Sequence, residues 1–416
     1  MFLMNKSLSI FFLSKRLKNN DLYSPATTNI EFFSSKKELF NLKINSISAG
    51  IDIYETYLKK GHATVDFDNE VLWNTLDEAV ELILFWSDFF NNNNVSGVVL
   101  SHDCYIHMNI LAKISYRQDV PVYLVNSKGM HKVNAPFSLY ESRFKNYREY
   151  FNVLPTKKKS EAIQWAKGRI NARLSGQITD MSYSTISAFQ TPIDNSRILS
   201  DSGRVKVLIA VHDFYDNPHG YGGMLFTDFY VWLEFLADIS NKTNYDWYIK
   251  THPDTSKKTL EVLKGDLLKN SKIKIIPREA SFIQLAEEGL DFVLTCFGSV
   301  GHELPLLGVQ VINASTNNPH NAYNFNWHAE SVDHYRGLLL KLPLLNINID
   351  PNEIYEFYYM HYKYTNLDDL IYISYSKMLI DLDESSRLSL DAYVYFIKNL
   401  SEEKNEKIKN KMINFI

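Results

Sequence analysis

Apolar residues fall in short β-branched runs and helically spaced stretches, separated by polar turns. Val95-Ser96-Gly97-Val98-Val99-Leu100 is such a run, and it breaks into Ser101-His102-Asp103-Cys104-Tyr105. Residues 106–117 continue with helical spacing, and Val120-Pro121-Val122-Tyr123-Leu124-Val125 is a second run. Strand, polar turn, helix and strand predict a βαβ unit. Upstream, residues 72–90 place Leu76, Ala79, Leu82, Ile83 and Trp86 at the spacing of one helical face. A shorter patch at 8–13 reads as a first strand or strand-turn.

A helix opens near Lys157-Lys158-Lys159, whose charges read as a solvated surface, and a serine- and threonine-rich stretch, 182–202, reads as a linker. The strand-helix alternation then restarts. Strands are predicted at 205–211, 245–250, 272–276, 292–295 and 309–312, with helices from about 229 and at 282–288. Two such halves predict an α/β protein of two Rossmann-like, doubly wound domains facing a cleft. The expected boundaries are 1–190 for the first domain, 200–375 for the second, and 376–416 for charged C-terminal helices packing back across both.

Length agrees with that division, because 416 residues exceed what one core usually organises. A net charge of −4 gives no general attraction to nucleic acid. The two cysteines, Cys104 and Cys296, each lie in or beside an apolar run, so neither a disulfide framework nor a zinc site is expected. Lys15-Arg16 follow the 8–13 patch, the reverse of a signal peptide, and no run is long enough to span a bilayer. A cytoplasmic protein is expected.

Ligands of open α/β sheets bind beyond the carboxyl ends of the strands, and polar residues gather at four of these ends. After 292–295 comes Cys296-Phe297-Gly298-Ser299-Val300-Gly301-His302-Glu303. A helix starting near Ser299 would aim backbone N–H groups at a phosphate, with Glu303 placed for ribose hydroxyls. The plainer reading makes Ser299 a helix cap only. After 245–250 comes Lys250-Thr251-His252-Pro253-Asp254, where proline fixes a histidine able to donate a proton; His-Pro is also a common turn. The loop 212–223 carries His212, Asp213, Asp216 and His219 among glycines. Its spacing fits no standard zinc pattern, and substrate contact is preferred to metal. The fourth end, Ser101 to Tyr105, offers His102 and Asp103 as acceptor-side groups or merely as a cap for the next helix. A further loop, 317–326, brings His320 and Asn324 as candidates for sugar hydroxyls.

Together these motifs resemble those of the bacterial capsule polysaccharide biosynthesis proteins, whose relatives include Kdo transferases, bacterial sialyltransferases and teichoic-acid polymerases. Lys250-Thr251-His252-Pro253 matches their Lys-x-His-Pro; Gly298-Ser299, Glu303, Gly308 and Val311-Ile312 match a run common in GT-B donor domains. Ser299-Val300 stands where several relatives have paired hydroxyl residues, and the Asp-Asp-Gly signature of the sialyltransferases is absent. The resemblance implies a glycosyltransferase that binds a CMP-, UDP- or GDP-sugar through Lys250, His252, Gly298, Ser299, Val300 and Glu303. It would use Asp103, Asp213, Asp216 or His252 in catalysis and His102, His212, His219, His320 and Asn324 for substrate. The acceptor would be a surface polysaccharide or lipid-linked glycan, met at the inner face of the membrane beside a polysaccharide assembly complex. No cofactor or metal is expected beyond the nucleotide sugar. An epimerase of nucleotide sugars, a CDP-polyol phosphotransferase and a non-catalytic export scaffold are the alternatives.

Overall fold

The structure is a computed structural model. It describes residues 33–126, 129–133, 144–178, 186–190, 196–252 and 255–364, with a few positions between 394 and 410. The strand expected at 8–13, Pro253, Asp254, much of 182–202 and nearly all of 376–416 lie outside the described residues. The chain divides into two compact units. One draws on residues up to Thr56 and Phe67–Pro136; the other takes Tyr57–Asp66 and Phe137–Asp368.

In the first unit, α1 (Lys36–Asn41) starts at a capping box, in which Ser35 accepts from the Glu38 N–H and Glu38 accepts from that of Ser35. A tight hairpin follows, pairing β1 (Lys43–Ile44) with β2 (Ile47–Ser48). Its turn residues, Asn45 and Ser46, have φ of 49° and 65°, matching the twist such two-residue loops need. Next come α2 (Gly50–Lys59), whose last three residues fall in the second unit, and α3 (Glu70–Asn92), which buries Leu72, Leu76, Ala79, Leu82, Ile83 and Trp86. β3 (Val98–Leu100) pairs in parallel with β4 (Val122–Asn126), the βαβ arrangement read from the apolar runs. Between them lie a π-helical turn, Tyr105–Asn109, and α4 (Ile110–Arg117). The sequence pattern misses β5 (Gly129–Val133), which turns back antiparallel onto β4.

The second unit holds α5 (Tyr147–Asn152), α6 (Thr156–Leu174), β6 (Lys206–Val211), α7 (Phe229–Lys242), β7 (Asp246–Thr251), α8 (Lys257–Lys264), β8 (Ile273–Ile275), α9 (Phe282–Glu287), β9 (Phe292–Thr295), α10 (Val300–Glu303), β10 (Gln310–Asn313), β11 (Trp327–His328), α11 (Val332–Leu339) and α12 (Pro351–Tyr359). Its six strands form one parallel sheet in the order β11-β10-β9-β6-β7-β8. Side chains alternate between its faces, as strand geometry requires. Val207, Ile209, Trp247, Ile249 and Leu294 meet α7 through Trp232, Leu233 and Leu236, while Leu208, Tyr248, Val293 and Val311 meet Phe282, Leu285 and Leu304 on the other side.

Two features differ from the sequence reading. β10 does not close the sheet, because two-residue β11 adds a strand too short for a periodicity to register. α5 and α6 belong to this unit and not to a domain ending at 190. The reason is packing: Ala162, Ala166 and Ile170 of α6 share a cluster with Phe357 and Tyr358 of α12. Segment 57–66 is pinned to the same unit by Thr64, whose Oγ1 donates to Asp228 Oδ2 at 2.7 Å, while Asp228 Oδ1 caps α7 at the Val231 N–H. Among the described residues, no helix is long and apolar enough to cross a membrane.

Candidate functional site

The chain leaves β6 for β7 and β8 on one side, then returns to lay β9, β10 and β11 on the other. β6 and β9 therefore flank a topological switch point, where a parallel sheet opens a crevice beyond its carboxyl ends. His212 directly follows β6 there, and its Nε2 shares a 3.2 Å hydrogen bond with Oγ1 of Thr295, the last residue of β9. The same Oγ1 accepts from the Gly298 N–H at 3.1 Å. A Cβ on Gly298 would stand 2.8 Å from that oxygen, so a larger residue there would force the threonine hydroxyl to move. The His212 ring lies flat on Phe229, centroids 4.9 Å apart, and beside Phe297 at 4.7 Å; Tyr221 stands 4.7 Å beyond Phe297. Burial, with neighbouring His252, pushes His212 down to about 4, so the ring is neutral at pH 7 and takes part as a hydrogen-bonding group. His252 itself opens a turn in which its carbonyl accepts from the Thr255 N–H.

Lys250, one residue inside the end of β7, is 2% exposed. Its Nζ lies 4.7 Å from the centre of the Phe282 ring and 3.4 Å from the Thr251 carbonyl. Burial pushes this amine down to about 8, against the pull of Glu279.

The turn after β9 differs from the expected helix N-terminus. α10 is a single turn of four residues that passes into a 3-10 segment, Leu304–Leu307, so no long macrodipole backs it. Ser299 does not cap it; its Oγ donates to Glu303 Oε2 at 3.2 Å. Glu303, expected near ribose, is 1% exposed and forms an ion pair with the equally buried Arg173 of α6. Burial works against the Arg173 charge, yet the Glu303 carboxylate holds its pKa above the usual value. Val300 packs into the sheet-face cluster rather than toward the crevice. Gly298 and Ser299 therefore remain at the crevice, and Glu303 supports them from behind.

The loop after β6 also divides. Asp213 is structural: Oδ1 accepts from the Tyr215 N–H and Thr259 Oγ1, and Oδ2 from the Ser256 N–H at the start of α8. Asp216 is exposed, accepting from the N–H of Asn217, and His219 is half-buried. In the loop after β10, His320 is 1% exposed and bonded through Nε2 to Nδ1 of His302 at 3.1 Å. His302 Nε2 in turn lies 3.4 Å from Tyr362 Oη. Burial, with His328 nearby, pushes His320 down to about 3. Asn324 is exposed, with its N–H donating to Glu353 Oε2. His320 is thus part of a buried polar core, not an open sugar-binding face. In the first unit, Ser101 Oγ and His102 Nδ1 are 2.7 Å apart and Asp103 is buried.

Thr295, Phe297 and Tyr221 lie inside segments that the sequence singles out but are given no role there, and Arg173 is not singled out at all. Thr295 reads as the tail of an apolar strand, and Arg173 as one more charge on a basic helix.

No family model matches the chain, and no curated protein sequence matches it. Among solved structures it is similar to the Thermosulfurimonas dismutans KpsC beta Kdo 2,7 transferase, with 14% identity over 65% of this chain and 78% of that one, TM-score 0.38. The beta Kdo 2,4 transferase of the same KpsC gives 14% identity over 60% and 75%, TM-score 0.34. S. aureus MnaA, in a co-structure with UDP, gives 12% identity over 89% and 97%, TM-score 0.24.

Proposed function

We propose that the protein is a glycosyltransferase of the GT-B kind, moving a sugar from a CMP-, UDP- or GDP-linked donor to a bacterial surface polysaccharide or lipid-linked glycan. The observation that carries this reading is the His212–Thr295–Gly298 arrangement at the switch point of a parallel sheet, with His252 beside it. Matching motifs, Lys250-Thr251-His252-Pro253 and Gly298-Ser299, fall at the ends of β7 and β9.

In this reading, the nucleotide lies across the crevice between β6 and β9. His252 donates to the leaving phosphate oxygen, and Lys250 contributes positive charge from beneath. Tyr221 and Phe297 offer ring faces to the base or the sugar. Asp213 is held in hydrogen bonds and Asp216 is exposed, so Asp216 is the carboxylate of that loop assigned to the acceptor proton. The enzyme is placed at the inner face of the cytoplasmic membrane, where lipid-linked acceptors are met.

A thermal-shift panel of CMP, CDP, UDP and GDP tests the donor site. The nucleotide of the true donor, at a hundred times its Kd, stabilises the fold by about 2.7 kcal/mol. No response to any of the four sinks the donor site. His252→Ala is expected to lower transfer about a hundredfold or more while leaving the melting curve in place. Conversion of a nucleotide sugar without any acceptor would replace transfer by epimerisation.

A further inference from the structure

The start of α6 runs against helix electrostatics. Thr156 follows Pro155 with no side-chain cap, the first turn has no acidic residue, and Lys157, Lys158 and Lys159 occupy it. Cations are unfavourable at this end of a helix, where the macrodipole is already positive. Apolar residues stand exposed at the same place: Val153 is 77% exposed, Tyr150 42% and Tyr364 43%.

These residues form a continuous surface. The Tyr150 and Tyr364 rings are 6.3 Å apart, Tyr364 is 6.4 Å from Tyr359, and Tyr359 is 6.0 Å from Trp165 of α6. Lys159 Nζ lies over the Phe151 ring, 5.9 Å from its centre. Lys145, Lys157, Lys158 and Lys363 are exposed on these segments, against the exposed Glu149 and Glu161, while Lys159 lies near Glu356 and Arg148 is paired with Glu353 and Glu356.

We propose that this face, the end of α5, the first turn of α6 and the turn 360–364, docks on the surface of an anionic phospholipid bilayer. Tyrosine and tryptophan rings with one wet edge belong at the headgroup level, Val153 reaches the acyl boundary, and lysines meet lipid phosphates. Lipid phosphate also supplies the negative charge that the uncapped helix start lacks.

Vesicle flotation of the full chain, without nucleotide, tests this independently of any transfer reaction. Vesicles with a third phosphatidylglycerol should carry the protein upward, pure phosphatidylcholine vesicles should not, and high salt should release it. The double variant K157E/K158E should lower partitioning about tenfold or more. Val153→Asp, at a site with no packing to lose, should also weaken it. Circular dichroism melts should show both variants folded, Val153→Asp at the wild-type midpoint and K157E/K158E at or above it, since acidic residues suit this helix end. Equal binding to both vesicle types, no binding to either, or unchanged partitioning of the folded variants would overturn the proposal.

Discussion

Arg173 and Glu303 form an ion pair sealed inside the second unit, with side chains 4% and 2% exposed. The pair fixes α6 to the single turn that carries Ser299, which makes a helix from outside the sheet a determinant of the crevice. Removing one partner strands the other charge in a dry setting. Arg173→Met or Glu303→Gln should therefore cost about 3–5 kcal/mol in urea denaturation. The double variant R173M/E303Q should cost clearly less than the two single effects added together, and a simple sum would contradict the pairing.

Acid should weaken the fold through its histidines. The unfolded rings take protons near 6.5, while burial and His252 hold His212 down to about 4, and burial and His328 hold His320 down to about 3. Between these values the unfolded chain binds more protons than the folded one, so stability is full above about pH 6.5 and is lost as pH falls through 4. Urea midpoints at pH 7.5, 6 and 5 should decline in that order. His212→Gln should flatten the slope, and an unchanged slope would mean the ring does not titrate as described.

Lys250 should be a liability for the fold. Its amine is held to about 8 by burial against 10.5 when exposed, so the stability linked to it is present above 10.5 and lost as pH falls through 8. At pH 7 the charge then costs about 3 kcal/mol. Lys250→Met should raise the urea midpoint while weakening binding of the preferred nucleotide. A lower midpoint would mean that the cation–π contact with Phe282 outweighs the burial cost.

Two glycines should respond in opposite directions to alanine. A Cβ at Gly301 would lie 2.4 Å from His320 Cε1, and that ring is locked by His302, so Gly301→Ala should destabilise by about 1–3 kcal/mol. Gly337 sits inside α11 with open space around it, and Gly337→Ala should stabilise by about 0.5–1 kcal/mol. Paired melting curves check both.

The strands around the crevice were legible because each is a short β-branched run ended by glycine, proline or a polar cluster. Lys250, His252 and Gly298 could be placed for the same reason. The ion pair of Glu303 was not legible, because sequence shows its distance from Ser299 but not from Arg173, which lies 130 residues earlier. The burial of His320 was not legible, because a loop rich in asparagine looks wet, whereas this one folds over its own histidine. β11 and β5 escaped because two residues carry no period and because a hairpin depends on its partner strand. The extent of the second unit was hidden for a similar reason, since α6 is assigned by what it packs against and not by its own pattern.

The bond from Thr64 to Asp228 spans 164 residues of chain. On a ribosome adding about 5–20 residues per second, segment 57–66 waits roughly ten to thirty seconds for its partner. Through that interval its docking surface does not yet exist, and Asp228 must emerge before both α7 and the segment can be secured. Segment 57–66 is therefore secured only after Asp228 has left the tunnel, with strands β7 to β11 of the same unit still to follow.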